Sequence, residues 1–471
     1  MQFSEKTMAI GNSFHVIKDP VHGTMQFTTT ENAWIKPFID SPHFQRLRHI
    51  KQAGMGDYIF PGSVHTRFNH SLGCCYIASQ ISKKIDLPEE ERQLVLIACL
   101  LHDIGHGPFS HTFEDLFHDK LIRHEAWTPH FLSSYKTQEF FDFYNQCNPH
   151  YPLTIEKFQQ IENMIMHKLP RKQLLADIVS SQLDADRLDY LLRDSHFCGV
   201  SYGQFDFRWM INSMAVIDTA KGKRLGITHK GVGVVEHYLM ARRLMIRNIY
   251  HHPKKLAIEY YMVQLLVHLA ECLEKHAPFA HVKNSLLGKF LLQAHYFNRE
   301  ITPKTDLQQH KQLFIDKNYS DYKELSDYDV FSAIKWLANN NETHPAIDLA
   351  KRLQLRQMPK TVLLDQNNIA DIEAKINDFK YTHQHSIQDW QFTMIKTPLQ
   401  SYTIEDDPIL VVDDRNEVRP INELSIMIDA ISDKYEHSVF LCIDQAILAE
   451  KEVKQFLEAL TLNSREKIRN V

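Results

Sequence analysis

No Cys-x-x-Cys pair occurs in this 471-residue chain, and its cysteines number seven, an odd count. That argues against a zinc ribbon or a disulfide framework; buried free thiols in a reducing compartment are the expectation. Long apolar runs are missing too. The longest, from Leu94 to Leu101, has eight residues, whereas a helix crossing a bilayer needs roughly 20. The first residues, MQFSEKTMAIGNSF, lack the apolar stretch of a signal peptide. A cytoplasmic protein without membrane association is therefore expected. Nor is there a basic excess: 53 Lys and Arg stand against 58 Asp and Glu, a net charge of −5. Without a global positive field, non-specific nucleic-acid binding is not favoured, although a local basic groove stays open. There is no repeat at fixed period and no low-complexity tract.

What is present is helical periodicity. Residues 31–53 carry Trp34, Ile35, Phe38, Phe44, Leu47 and Ile50, a helix–turn–helix pattern broken at Ser41-Pro42. Helices are expected over 69–84, over 90–103 (apolar almost all round, hence central), over 172–195, 233–250, 255–275, 326–338 and 345–356. The character changes near residue 365. A polar stretch over 366–390 precedes short β-type runs, QFTMIK, PILVVD and SVFLCID, which alternate with helical stretches near 423–432 and 445–461. The fold class expected is mainly α: a helical core over 1–365 and a small C-terminal α/β lobe over 366–471, regulatory or for oligomerisation.

Histidine is frequent, at 28, so isolated histidines carry little weight and clusters carry more. The cluster is at the end of the central helix, where His102 and Asp103 are adjacent and the chain continues Gly105-His106-Gly107-Pro108-Phe109-Ser110-His111. On a helix those two side chains point about 100° apart, so they reach one ion only where the helix ends, and the glycines permit that ending. Imidazole and carboxylate together suit a hard-to-borderline divalent ion. Single histidines at helix ends are ordinarily caps or surface residues; a doublet closing an apolar run and followed by further histidines is hard to assign to packing. Taken alone, His70, which starts another helix, and Asp186, inside a third, would not stand out.

KDPVHG (18–23), FQRLRHIKQAG (44–54), FPGSVHTRFNHSLG (60–73), LLHDIGHGPFSHTFE (100–114), RHE (123–125), LDADRLDYLLRD ending at Asp194 and RNIYHHPK (247–254) stand in this order. This series resembles the HD-domain superfamily of metal-dependent phosphohydrolases, in particular its deoxynucleoside triphosphate triphosphohydrolase branch, over about residues 14–275. The resemblance implies His70, His102, Asp103 and Asp186 as metal ligands. It places His106, His111 and His124 around the α-phosphate, with His111 as general acid. Glu114 stands where the family usually has an aspartate orienting that histidine. Arg67, Arg242 and Lys254 correspond to triphosphate contacts, Gln52 and Asp194 to contacts with the deoxyribose 3′ hydroxyl, Tyr190 to a residue stacked under the sugar, and Tyr250 to a further pocket residue. Asp40, Gln45 and Arg48 in DSPHFQRLR, with Val16, correspond to an allosteric nucleotide site, although the lysine that regulated members carry before the valine is absent here.

The activity the resemblance implies is hydrolysis of deoxynucleoside triphosphates to deoxynucleoside and inorganic triphosphate, with a nucleotide activator and a homo-oligomer, dimer or tetramer. One divalent ion is expected, Mn, Fe, Mg, Ni or Zn, with room for an additional Mg carried by the nucleotide. Two alternatives stay open: an HD enzyme acting on a nucleoside monophosphate, a cyclic nucleotide or single-stranded nucleic acid, and a non-catalytic nucleotide sensor.

Overall fold

The computed structural model of the chain describes residues 16–468, except 170–173, 221, 275–278, 365–368, 401, 405 and 406. The protein is mainly helical, as expected. In chain order the strands are β1 (Val16–Asp19), β2 (Gly23–Gln26), β3 (Met214–Thr219), β4 (Gly222–Thr228), β5 (Lys360–Leu363), β6 (Phe392–Gln400), β7 (Leu410–Val412), β8 (Val418–Pro420) and β9 (Tyr435–Ile443). The described residues group into two units. The first takes those of Met1–Met245, Tyr296–Tyr328 and Ser401–Lys434; the second those of Ile246–His295, Asp329–Gln400 and Tyr435–Val471.

In the first unit, the helix Thr29–Ile39 opens on a reciprocal cap: Glu31 N–H donates to Thr28 Oγ1 at 3.1 Å and Thr28 N–H to Glu31 Oε2 at 2.9 Å. The chain then turns at Ser41, whose hydroxyl accepts from Phe44 N–H at 3.3 Å, and continues as the short helix Pro42–Gln45. The helices Arg67–Lys84 and Glu89–Leu101 form the centre. Glu89, Glu90 and Glu91 fill the first turn of the second, where the helix dipole favours them. Every residue from Gln93 to Leu101 is buried, and each large apolar side chain so buried contributes about 1.5–3 kcal/mol.

The expected helix over 172–195 divides into Leu174–Val179 and Ala185–Cys198. The break is made by Asp184, whose carboxylate accepts from Ser181 N–H at 2.9 Å and Arg187 N–H at 2.7 Å. A side chain that satisfies backbone donors in this way competes with helix continuation. Leu183 stays buried across the break, which is why apolar periodicity does not reveal it. Asp186 falls in the first turn of the second helix as a result.

β1 and β2 form an antiparallel ribbon, and β3-β4-β7-β8 form a four-stranded sheet in which β4 and β7 run parallel. In the second unit β5-β9-β6 is antiparallel throughout. Its inner face, with Phe392, Leu441 and Ile443, packs with Phe379 of the helix Ile369–Thr382 and Val453 of Lys451–Ile468. This is the small α/β part. The division differs from a cut at residue 365: residues 401–434 join the first unit because Ile227 and Thr228 of β4 pair with Val411 and Val412 of β7. A run such as PILVVD reads as a strand without naming its distant partner. Among the described residues one helix, Pro253–Leu273, is long and apolar enough to cross a membrane; 61% of its apolar window is buried in the protein.

Candidate metal centre

Three segments of the first unit bring the four expected ligands together. His70 lies in the first turn of Arg67–Lys84 with no exposed surface; its Nε2 is 3.0 Å from Asp186 Oδ1 and 3.5 Å from Asp103 Oδ2. His102 Nε2 lies 3.5 Å from Asp103 Oδ1 and 3.7 Å from Asp186 Oδ1. The tautomer of His102 follows from its other nitrogen: Nδ1 is 2.8 Å from the Cys99 carbonyl, which only accepts, so Nδ1 carries the proton. That leaves Nε2 as a bare lone pair, buried and with no hydrogen-bond partner. An orphaned acceptor beside two carboxylates is what a cation satisfies, so these residues fit a divalent ion. Cys74 Sγ stands close, 3.5 Å from both ring nitrogens of His70.

The cluster favours positive charge. Burial works to lower the His70 pKa, but hydrogen bonds to Asp186 and Asp189 carry it up to about 10. Burial would raise Asp103, yet Arg67, His102 and His106 hold its carboxyl well below the usual carboxylate range. Arg67 Nη1 donates to Asp103 Oδ2 at 2.5 Å and its Nε to Ser110 Oγ at 2.9 Å. The guanidinium expected at the triphosphate is thus engaged by a ligand carboxylate.

Asp189, which is not among the residues expected from sequence, orients His70. It is fully buried, and its Oδ2 accepts from His70 Nδ1 at 2.8 Å, so His70 presents Nε2 to the centre. Asp189 is in turn fixed by His22 Nε2 at 2.6 Å and by Arg193 Nε and Nη2 at 2.8 and 3.0 Å. Arg193 also donates to Asp19 at 2.8 Å. Gly73 makes the approach possible: a Cβ there would stand 1.9 Å from Asp189 Oδ1. The signal available in sequence was spacing, since Asp189 follows Asp186 by three residues on one helix.

A second group adjoins the first. His106 Nε2 is 3.3 Å from Asp103 Oδ1, and its ring stacks on His124 at 3.7 Å between centroids. Glu114 Oε1 lies 2.7 Å from His124 Nδ1 and 3.3 Å from His111 Nδ1. Glu114 therefore engages His111 but holds His124 more closely; the His111 side chain is 63% exposed. Burial would raise Glu114, but the two histidines keep it well below the usual carboxylate range. The loop carrying these groups is strained: Phe109 and Ser110 take φ of 52° and 55°. Buried Asp327 holds it, accepting from Phe109 N–H at 2.7 Å and Lys51 N–H at 2.9 Å. Gly105 lets the His124 segment close in, since a Cβ there would meet Thr128 Oγ1 at 2.3 Å.

The remaining expected residues are spread more widely. Half-buried Tyr190 and buried Asp194 follow Asp186 on the same helix. Arg242 Nη1 donates to Gln182 Oε1 at 3.1 Å. Gln52 pairs through its backbone with His65. Tyr250 and Lys254 belong to the second unit. Of the allosteric set, Gln45 and Arg48 are bonded to each other at 2.7 Å and line a surface pocket of about 570 Å³ with His43, Arg46, His49, Lys323 and one carboxylate, Glu324, a net cationic lining. Asp40, paired with Lys36, and exposed Val16 are not among its lining residues.

Comparison with known proteins bears on this arrangement. The HD domain family matches residues 67–194. The uncharacterized protein YwfO of Bacillus subtilis is 35% identical over 289 residues, 59% of this chain and 62% of that one. The deoxynucleoside triphosphate triphosphohydrolase SAMHD1 of Bos taurus is 27% identical over 403 residues, 78% of this chain and 65% of that one. The chain thus spans less than two thirds of the length of these curated relatives. A crystal structure of a phosphohydrolase from Bacteroides thetaiotaomicron superposes with a TM-score of 0.71 at 25% identity, over 92% of this chain and all of that one. The segment that matches the HD domain family, from Arg67 to Asp194, supplies all four residues of the candidate metal centre.

Proposed function

We propose that the chain is a divalent-metal-dependent phosphohydrolase that converts deoxynucleoside triphosphates to deoxynucleoside and inorganic triphosphate. The observation that carries the reading is the convergence of His70, His102, Asp103 and Asp186, with His102 Nε2 buried and unpartnered. The HD domain match and the likeness to a phosphohydrolase support the hydrolytic class. The name of the bovine relative supports the substrate. A divalent ion bound there supplies Lewis-acid stabilisation of phosphoryl charge and acidifies water.

The chain's own groups divide the rest of the work. His111, exposed and backed by the ionised Glu114, donates a proton to the departing 5′ oxygen. His124 fixes Glu114 from the other side. Arg67, held by Asp103 and Ser110, and Arg242, held by Gln182, bring positive charge to the phosphate oxygens. Tyr190 packs under the sugar, and Gln52 and Asp194 read its 3′ hydroxyl. The cationic pocket around Gln45 and Arg48 takes the phosphates of a nucleotide activator.

The test is anion-exchange analysis of products from a panel of deoxynucleoside triphosphates with Mn²⁺ or Mg²⁺, each candidate activator added separately. Inorganic triphosphate and deoxynucleoside are expected, and EDTA abolishes both. Cleavage of a nucleoside monophosphate, a cyclic nucleotide or single-stranded nucleic acid, with no triphosphate release, would instead establish another HD phosphoesterase. No turnover at all, with biological function intact in H102A, would establish a sensor.

A further inference from the structure

His65 has no expected role, yet it touches both groups assigned to the sugar. Its Nε2 lies 2.6 Å from Asp194 Oδ1, so the ring donates to that carboxylate. Its carbonyl accepts from Gln52 N–H at 3.0 Å, and one step along Arg67 N–H donates to the Ile50 carbonyl at 2.9 Å. Residues 50–52 and 65–67 therefore form a short antiparallel ladder, with Lys51 opposite Thr66, that registers Gln52 against His65. The ring is 3% exposed as a residue and stacks on Phe197 at 4.5 Å with 22° between planes. Two polar atoms here are buried with no hydrogen-bond partner, Gln52 Oε1 and His65 Nδ1. One is on the ring that fixes the Asp194 carboxylate and the other on the side chain registered against His65, and a ligand hydroxyl is a group that donates to such open acceptors.

We propose that His65 is a positioning residue that sets Gln52 and Asp194 for a sugar hydroxyl, and so sets selection for the 3′ hydroxyl; this rests on the function proposed above. His65 acts through the other two: its backbone fixes where Gln52 starts, and its imidazole fixes how Asp194 turns.

His65→Phe keeps the ring stack and removes the donor; His65→Gln keeps a donor near the Nε2 position. Both variants and wild type are assayed on a deoxynucleoside triphosphate and the matching 2′,3′-dideoxynucleoside triphosphate, with metal content measured on the same samples. Wild type is expected to prefer the deoxynucleotide. In H65F that preference falls by about tenfold or more, chiefly through a higher KM, with metal content unchanged, and H65Q recovers most of it. If H65F does not fold, His65→Asn, whose amide reaches only the Nδ1 position, takes its place with the same expectation. An unchanged preference in the folded variant overturns the proposal, as does an equal loss on both substrates, which marks plain packing. A wild type that turns over both substrates equally overturns the sugar assignment and this proposal with it. A wild type that releases triphosphate from neither overturns the function itself, a separate and recognisable result.

Discussion

A histidine ring has two nitrogens, and in this centre the second one does the orienting. His102 spends Nδ1 on the Cys99 carbonyl and His70 spends Nδ1 on Asp189, so each points Nε2 at the same place. Replacing Asp189 with Asn keeps the shape but weakens the acceptor, and it leaves the buried Arg193 with Asp19 as its remaining carboxylate partner of the two. Metal affinity is expected to fall by about 10–100-fold, with a lower melting temperature. A chelator competition titration reads this directly, and an unchanged affinity would count against the orienting role. The HD doublet was legible in the linear sequence because two ligand types stand side by side at a helix end. Asp189 was not, since Asp184, Asp186, Asp189 and Asp194 are equivalent on paper. Only the rotation of each around the helix axis decides which faces the centre, which caps the helix and which faces His65.

His43, in the cationic pocket, gives a pH-dependent signature away from the metal centre. Burial, then Lys323 and Arg46, push its pKa down from 6.5 to about 4. Between those values the unfolded chain takes up the proton more readily than the folded one. The protein is therefore expected to lose stability as pH falls from 6.5 towards 4, with this contribution intact above 6.5 and constant below 4. The partial exposure of the ring reduces the effect to the order of 1 kcal/mol between pH 7 and 5. Urea denaturation at the two pH values should show a smaller difference in H43Q than in wild type; equal differences would refute the assignment.

At the scale of elements, the decisive piece is the loop from His102 to His111. Its sequence announces an ending but not a shape. Two consecutive residues in the left-handed region, neither of them glycine, hold only because Asp327 binds the Phe109 N–H and Ser110 Oγ donates to the Lys51 carbonyl. Asp327 lies 218 residues from Phe109 in sequence, a pairing no local pattern reveals. Replacing it with Ala removes the carboxylate that accepts from the buried Phe109 N–H and the part-buried Lys51 N–H, an expected loss of about 1–3 kcal/mol. Chemical denaturation checks the stability, and the activity of the folded fraction checks whether His106 and His111 remain placed. A loss below about 0.5 kcal/mol, within the range of ordinary surface substitutions, would contradict the account. Helices with strong apolar periodicity were legible within a few residues, as for Arg67–Lys84 and Glu89–Leu101. The short strands β1 to β5 were not, because strands of four to seven residues between helices carry too few alternations to register.

For the molecule as a whole, class was easier to read than partition. Helical dominance and a small α/β part follow from periodicity. The chain's return through 401–434 to pair with β4 depends on a parallel contact of two residue pairs, Ile227 with Val411 and Thr228 with Val412, and sequence pattern does not specify partners. The first unit nonetheless contains all four ligands, Asp189 and the histidine cluster, so the proposed chemistry rests on one folded unit and on one cation held in it. The most direct test is metal stoichiometry by inductively coupled plasma mass spectrometry on protein loaded with Mn²⁺ and desalted. The prediction is about one tightly held ion per chain in wild type and near none in either H102A or D186A, each still folded by circular dichroism. Equal metal content in wild type and both variants would contradict a centre built on these residues.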